Sequence, residues 1–208
     1  MKVKICGLNP VKDVQLCIDL KVNFLGFVFY EKSPRNINLA DVKNLLKFNK
    51  QNSSFVAVTV NPTNEFIEKT ISNNFDYIQL HGSESNQRIK EIKQKYNLKV
   101  IKAIKIKAEE DVFKHKEFID ADNILFDTPG MEKSIEFPQD LIKKIPKSNN
   151  FMLAGSISEN NIRNIAKLGV NFCDLSSNLE SQLGYKDHLK IKKFMNKINT
   201  INNEDTSI

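Results

Sequence analysis

The stretch Val3-Lys4-Ile5-Cys6-Gly7 is a short, mainly apolar segment that begins almost at the first residue. Its length and composition are typical of a buried strand, and the glycine marks its end. In a parallel sheet whose strands alternate with helices, functional groups lie at the carboxyl ends of the strands. The thiol of Cys6 is therefore a candidate functional group, provided that the rest of the chain builds such a sheet around it.

Seven further apolar segments follow the first, each separated from the next by a helical pattern. Residues 23–30 are apolar nearly throughout, as expected for a strand buried on both faces. This alternation predicts an α/β fold, a single-domain (βα)8 TIM barrel with a parallel eight-stranded sheet. The predicted strands are residues 3–7, 23–30, 55–60, 77–81, 98–106, 123–127, 151–155 and 172–177. The predicted helices are residues 11–19, 39–48, a segment starting at 61–64, 84–96, 108–118, 138–145, 159–167 and 187–197.

The domain organisation follows from this count of units. We expect a catalytic barrel domain over residues 1–200 and a frayed polar tail over residues 201–208. An open doubly wound sheet is the alternative architecture. It would carry a glycine-rich fingerprint at its first turn, and Cys6-Gly7-Leu8-Asn9 is not one.

Composition and charge exclude several classes of protein. The formal net charge is +6, but the lysines are interspersed with acidic residues and no nucleic-acid motif is present, which disfavours a nucleic-acid partner. No apolar run is long enough to span a membrane and no secretory signal precedes the first strand, so we expect a cytoplasmic protein. The cysteines are three in number and have no metal-ligand spacing, which indicates neither disulfides nor a zinc site.

Two turns rich in small or hydroxyl residues follow the seventh and eighth predicted strands. They are Ala154-Gly155-Ser156-Ile157-Ser158 and Ser176-Ser177-Asn178-Leu179-Glu180. Small residues allow backbone N–H groups to approach an anion, and barrels commonly bind phosphate at these two strands. We therefore predict a phosphate site at Gly155, Ser156, Ser177 and Asn178, with ordinary barrel turns as the alternative.

Cys6 and Asp127 are the candidates for proton transfer. A cysteine at a strand's carboxyl end with a depressed pKa can act as a base or nucleophile, whereas Cys17 and Cys173 are interpreted as buried apolar residues. Asp127 ends the sixth strand, where partial desolvation would raise its pKa and suit it to general acid catalysis. Asp174 competes for this role, although it could equally be a structural hydrogen-bonding group.

His81 and Arg35 complete the candidate set at the same edge. A lone histidine ending a strand is more often structural than catalytic, and without a second ligand nearby a metal is not indicated. The planar guanidinium of Arg35 would suit a carboxylate, although a solvated arginine is an equal alternative.

At these positions the chain resembles the phosphoribosylanthranilate isomerase family, across essentially its full length. Each matching segment is weakly specific by itself, but their order, each at a strand end, is specific. The segments are Lys4-Ile5-Cys6-Gly7, Gly26-Phe27-Val28-Phe29-Tyr30 with Ser33-Pro34-Arg35, Gln79-Leu80-His81-Gly82 with Glu84, Phe126-Asp127-Thr128, Leu153-Ala154-Gly155, and Asp174-Leu175-Ser176-Ser177 with Glu180 and Gly184-Tyr185-Lys186-Asp187.

The resemblance implies an Amadori rearrangement of N-(5-phosphoribosyl)anthranilate in tryptophan biosynthesis, without a cofactor or metal. It implies that Asp127 is the acid, that Cys6 is the base and that Arg35 holds the anthranilate carboxylate. His81 counts with Arg35 and the two turns among the substrate-binding residues. The expected partner is a small phosphorylated substrate, with no nucleic acid and no membrane, and the expected assembly is a monomer or homodimer.

The chain departs from the family pattern in two places. Ser156 and Asn178 stand where the family usually has glycine, and we expect the phosphate site to persist because asparagine tolerates a left-handed backbone. Residues 129–137 replace a glycine-rich stretch, and the chain has no tryptophan. The alternatives are another phosphosugar-isomerising barrel, although such relatives use paired aspartates, or a non-catalytic phosphometabolite-binding barrel, suggested by the altered loop.

Overall fold

Eight parallel strands pair in sequence order, and the first pairs with the last to close a barrel. The computed structural model describes residues 1–9, 11–45, 47–128 and 137–205. The strands are β1 (Lys2–Cys6), β2 (Phe24–Phe29), β3 (Ser54–Thr59), β4 (Tyr77–Leu80), β5 (Lys99–Lys105), β6 (Asn123–Asp127), β7 (Phe151–Leu153) and β8 (Phe172–Leu175). The predicted fold class is confirmed.

Helices connect consecutive strands on the outside of the barrel. They are α1 (Val14–Asp19), α2 (Leu39–Leu45), α3 (Asn64–Phe66), α4 (Asn86–Tyr96), α5 (Glu110–Phe113), α6 (Gln139–Ile142), α7 (Ile162–Lys167) and α8 (His188–Asp205). A π-helix (Ile67–Ile71) continues α3, and 3₁₀ helices follow α5 (Lys114–Glu117) and β8 (Ser177–Leu179). No helix in the described part of the chain combines the length and apolar character needed to cross a membrane.

The alternation of side chains along each strand separates two apolar cores. The larger core lies between the strands and the helices, and Phe27, Phe55 and Phe126 are fully buried in it. The smaller core fills the inside of the barrel, where Phe24 packs against Phe172 with ring centroids 4.9 Å apart. Each such buried ring contributes about 1.5–3 kcal/mol. The aromatic inner core closes one end of the barrel, so that a cavity can open only at the other end.

Helix boundaries differ from the prediction at both ends of the chain. The helix predicted from residue 11 begins at Val14, because the Asn9 side chain accepts hydrogen bonds from the N–H groups of Val11 and Lys12 and forms a turn instead. The last helix continues to Asp205, and Ile201 in it is buried against the core. The tail expected over residues 201–208 therefore begins inside a helix, and residues 206–208 lie outside the described residues.

A two-stranded hairpin, which the sequence did not predict, follows β8. It comprises β9 (Glu180–Gln182) and β10 (Tyr185–Lys186), joined by a turn in which Gly184 has φ +82°. A Cβ at Gly184 would lie 2.7 Å from the carbonyl oxygen of Pro34, so the hairpin rests directly on the loop after β2. Strands of two and three residues are too short to leave a periodic pattern in the sequence.

Candidate active site

The carboxyl ends of the strands surround a cavity of about 250 Å³. Every residue predicted for the site lines this one cavity. These residues are Cys6, Arg35, His81, Asp127, Gly155, Ser156, Ser177 and Asn178. The structure therefore brings the predicted thiol, carboxyl and phosphate-site residues together, while their individual roles stay predictions.

Cys6 is the last residue of β1 and is paired in register with Gly26 of β2. A Cβ at Gly26 would lie 3.2 Å from the Cys6 sulfur, so the glycine makes room for the thiol. Burial raises the pKa of the Cys6 thiol above its ordinary value, and the nearby Lys4 ammonium only partly opposes this effect. The depressed thiol pKa that would suit Cys6 to act as a base is therefore not found, because desolvation outweighs the adjacent positive charge.

Lys4 and Asp174 form an ion pair inside the barrel beneath Cys6. The Lys4 Nζ donates to both carboxylate oxygens of Asp174, at 3.0 and 2.9 Å, and the lysine side chain is fully buried. Burial opposes the charge on Lys4, but the Asp174 carboxylate and the Cys6 sulfur together outweigh burial and raise the pKa of the ammonium. Of the two interpretations of Asp174, the structure supports the hydrogen-bonding one, in which it is the partner of Lys4.

Asp127 ends β6 and lies next to His81 in the lining of the cavity. The His81 Nε2 lies 3.3 Å from the Asp127 carboxylate, and its Nδ1 lies 3.1 Å from the side-chain nitrogen of Gln79. With the Gln79 amide nitrogen as donor, Nδ1 accepts and Nε2 carries the proton. His81 therefore presents its Nε2 to the Asp127 carboxyl group at 3.3 Å. The Oε1 of Gln79 is buried and has no hydrogen-bond partner among the described residues.

Arg35 also lines the cavity and is held by Glu180. Its Nε and Nη2 donate to the two carboxylate oxygens of Glu180 at 2.6 and 2.9 Å, and the arginine side chain is only 8% exposed. The interpretation of Arg35 as a solvated surface residue is thus wrong. A Cβ at Gly7 would lie 2.5 Å from the Arg35 Cδ, so the glycine after the strand lets the arginine cross it.

Glu180 also binds the fully buried Lys186, whose Nζ donates to it at 2.7 Å. Burial disfavours the charged carboxylate, but the hydrogen bonds from Arg35 and Lys186 outweigh burial and lower the pKa of Glu180 to about 2. Burial lowers the pKa of Lys186, although the Glu180 carboxylate acts to raise it. One carboxylate thus ties the loop after β2 to the hairpin after β8.

The two turns of the predicted phosphate site are joined by a side chain. The Asn178 Nδ2 donates to the Ile157 carbonyl at 2.9 Å and lies 3.4 Å from the Ser156 hydroxyl. Gly155 and Ser156 have φ values of +116° and +44°. The left-handed backbone expected of Asn178 is found instead at Ser156, and Asn178 crosslinks the turns.

Sequence reasoning assigned no role to Lys4, Gln79, Glu180 or Lys186. For Lys4 and Gln79 a local signal exists, because each precedes a site residue by two positions on a buried strand and so shares its face. Glu180 and Lys186 carry no such signal, since Glu180 meets Arg35 across 145 residues of sequence. Cys17 and Cys173 are fully buried in the outer core, as predicted.

No group of three or more His, Cys, Asp or Glu side chains in the described ranges converges in the manner of metal ligands. The cavity offers instead a thiol, a carboxyl and two anion-compatible turns. The closed parallel sheet identifies the chain as a (βα)8-barrel protein. Its cavity lies at the carboxyl ends of the strands, which is the face where this fold carries its active sites.

The family follows from the comparisons with known proteins. The family model described as N-(5′-phosphoribosyl)anthranilate (PRA) isomerase matches residues 3–197, and the chain belongs to this family. It is 38% identical to the N-(5′-phosphoribosyl)anthranilate isomerase of Petrotoga mobilis, in a match that covers 97% of this chain and 98% of the relative. The family prediction is confirmed.

Solved structures agree with this assignment. The phosphoribosylanthranilate isomerase of Thermotoga maritima is similar, with a TM-score of 0.85 and 27% identity over 96% of this chain and 99% of that one. A second similar structure is a phosphoribosylanthranilate isomerase in complex with reduced 1-(o-carboxyphenylamino)-1-deoxyribulose 5-phosphate. It has a TM-score of 0.82 and 28% identity over 96% of this chain and 99% of that one.

Proposed function

We propose that this protein is an N-(5-phosphoribosyl)anthranilate isomerase of tryptophan biosynthesis, and that Cys6 and Asp127 carry its proton transfers. The reaction is an Amadori rearrangement to 1-(2-carboxyphenylamino)-1-deoxyribulose 5-phosphate. Membership of the family supports the reaction. The observation that carries the residue roles is that a thiol, a carboxyl group and both small-residue turns line one cavity.

In the first step, protonated Asp127 gives its proton to the furanose ring oxygen of the substrate. The bond between that oxygen and C1 breaks, and the anthranilate nitrogen forms a Schiff base with C1. The His81 Nε2, 3.3 Å from the Asp127 carboxyl group, would help to orient that group toward the substrate. Orientation of this kind lowers the barrier to proton transfer.

In the second step, the Cys6 thiolate takes the proton from C2 of the open sugar. The electron pair moves into a C1–C2 double bond and neutralises the Schiff base, which gives an enolamine. Gain of a proton at C1 and loss of the C2 hydroxyl proton then produce the ketone. The step requires Cys6 as thiolate, although burial raises its pKa, so the surrounding positive charges matter for the rate.

Substrate binding uses the two ends of the cavity. The Arg35 guanidinium, fixed in its plane by Glu180, would bind the anthranilate carboxylate, and the turns at Gly155-Ser156 and Ser177-Asn178 would bind the phosphate. The compound bound in the similar solved structure carries both a carboxyl and a phosphate group. We further propose that the protein works in the cytoplasm, as a monomer or homodimer, without cofactor, metal, nucleic acid or membrane partner.

The test is turnover of phosphoribosylanthranilate, followed by the change in its fluorescence. Cys6→Ser and Asp127→Asn should each lower kcat by about 10²–10⁴-fold, the range of general acid–base catalysis, with the fold intact by circular dichroism. Cys17→Ala removes a sulfur outside the cavity, and Asp140→Asn changes a carboxylate whose side chain is 89% exposed. Both controls should keep kcat. Near-normal turnover in Cys6→Ser or Asp127→Asn would refute that residue's role, and no turnover by the unmodified protein would refute the reaction.

A further inference from the structure

Three residues on the inner face of β1 and β8 form a connected group in the barrel. Lys4 and Cys6 are two positions apart on β1, so their side chains point to the same side of the strand. Asp174 on β8 is paired in register with Lys4 and binds its Nζ through both oxygens. The ammonium is bound by two carboxylate oxygens and the lysine side chain is fully buried. Lys4 is therefore held in this position.

The Lys4 ammonium lies beside the Cys6 sulfur. A Cβ at Gly26 would be 3.2 Å from the Lys4 Nζ and 3.2 Å from the Cys6 Sγ, so both atoms border the same small space. Gly26, which has no Cβ, places no side chain in that space. In a buried environment an interaction between charges at such a separation is weakly screened.

We propose that Lys4, held by Asp174, is a positioning residue of the isomerase reaction that stabilises Cys6 in its thiolate form. The inference rests on the proposed function, in which Cys6 is the base. Lys4 does not touch the substrate in this scheme, because it lies one layer below the cavity. It acts by keeping a fixed positive charge beneath the sulfur, and Asp174 keeps Lys4 charged.

Other charged groups that act on Cys6 come from neighbouring elements and do not replace Lys4. Asp174 on β8 opposes the thiolate, and Lys186 on β10 favours it. Lys186 is paired with the Glu180 carboxylate, which also accepts a hydrogen bond from Arg35. Strand β2, which pairs with Cys6 through Gly26, contains no charged residue. Lys4 is thus the cation with the larger influence on this thiol.

The test measures the Cys6 thiol directly. The rate of alkylation by iodoacetamide at Cys6 is read across a pH series by mass spectrometry of the peptide that contains it, in the unmodified protein and in Lys4→Met. Lys4→Met should slow alkylation at neutral pH at least about tenfold, since one unit of pKa changes the thiolate fraction tenfold. The acid limb of kcat should move to higher pH by the same amount, so that activity recovers as the pH is raised.

Two further variants separate this effect from a loss of folding. Lys4→Met with Asp174→Asn removes both charges, leaves no unpaired ion and should still slow alkylation. Lys102→Met with Glu84→Gln removes a similarly buried pair, 2.8 Å apart, that joins β5 to the segment between β4 and α4. This matched control should leave the thiol unchanged.

Unchanged alkylation in the two Lys4 variants, or an equal effect of the Lys102 control, would overturn the inference. Slow alkylation with a shifted pH profile only in the Lys4 variants supports it. Absence of turnover by the unmodified protein would count against the proposed function, and the alkylation rates would still decide whether Lys4 stabilises the thiolate.

Discussion

Replacement of Glu180 by glutamine should uncouple the hairpin β9–β10 from Arg35. Glutamine has nearly the same shape as glutamate but no charge, so Arg35 and Lys186 would both lose the carboxylate that they share. Both side chains are almost completely buried, at 8% and 0% exposure, and water can therefore do little to solvate them. We expect a less stable protein and a weaker hold on the guanidinium.

The size of the effect follows from the pKa of Glu180. Its carboxyl group has an ordinary value of 4.5 and a folded value of about 2. At about 1.4 kcal/mol per unit, this shift corresponds to about 3 kcal/mol of stability at neutral pH. Because the pKa is lowered in the folded state, this contribution is present above 4.5 and is lost as the pH falls toward 2. The melting temperature should fall by about 6–12 °C for a domain of this size.

Urea unfolding at neutral pH and at several values below 4.5 measures this difference directly. The difference in the free energy of unfolding between Glu180→Gln and the unmodified protein should be largest at neutral pH. It should become smaller as the pH is lowered. Glu65→Gln is the matched control, because its ion pair with Lys69 is exposed, at 74% and 73%, and should contribute no more than about 0.5 kcal/mol. A loss below about 1 kcal/mol in Glu180→Gln, or a gap that does not change with pH, would refute the reasoning.

Two more substitutions probe the scaffold. Gly184→Ala places a methyl group 2.7 Å from the Pro34 carbonyl oxygen, at a residue with φ +82°. The free energy of unfolding, measured in urea, should fall by about 1–3 kcal/mol. The KM should also rise, because Pro34 and Arg35 are neighbours in the loop after β2. An unchanged KM and stability would show that the hairpin can shift freely. Lys102→Met leaves the buried Glu84 without its cation and should cost about 3 kcal/mol by thermal or urea unfolding, with kcat preserved. Adding Glu84→Gln to Lys102→Met should restore the full stability. If stability is not restored, the loss comes from the missing alkyl chain of Lys102 and not from the missing charge.

The strands and the location of the site could be predicted because both depend on local patterns. Residues 24–30 and 124–126 are apolar runs, and the structure has β2 at Phe24–Phe29 and β6 at Asn123–Asp127. Once the barrel is assumed, the carboxyl end of each strand lies at one rim, which is how Cys6 and Asp127 could be assigned to one cavity. The altered loop, residues 129–137, lies outside the described residues except for the buried Phe137.

The charged contacts could not be predicted, because they join residues far apart in the sequence. Arg35 was expected to face solvent or substrate, and only the folded chain shows that Glu180 holds two of its nitrogens. The direction of the Cys6 thiol pKa shift could not be predicted for a related reason. The position of Cys6 at a strand end indicated its exposure to the cavity, but the extent of burial that raises its pKa depends on how β2 and β8 pack against it.

The ion pair of Lys4 and Asp174 joins residues 170 positions apart, on the first and last strands of the ring. During synthesis or refolding, the Lys4 ammonium gains the Asp174 carboxylate that holds it beside Cys6 only when β8 pairs with β1 and closes the barrel. The chemical reactivity of this one cysteine is therefore a natural gauge of barrel closure. It could be followed in time without any attached dye, and it would distinguish a half-assembled intermediate from the finished enzyme.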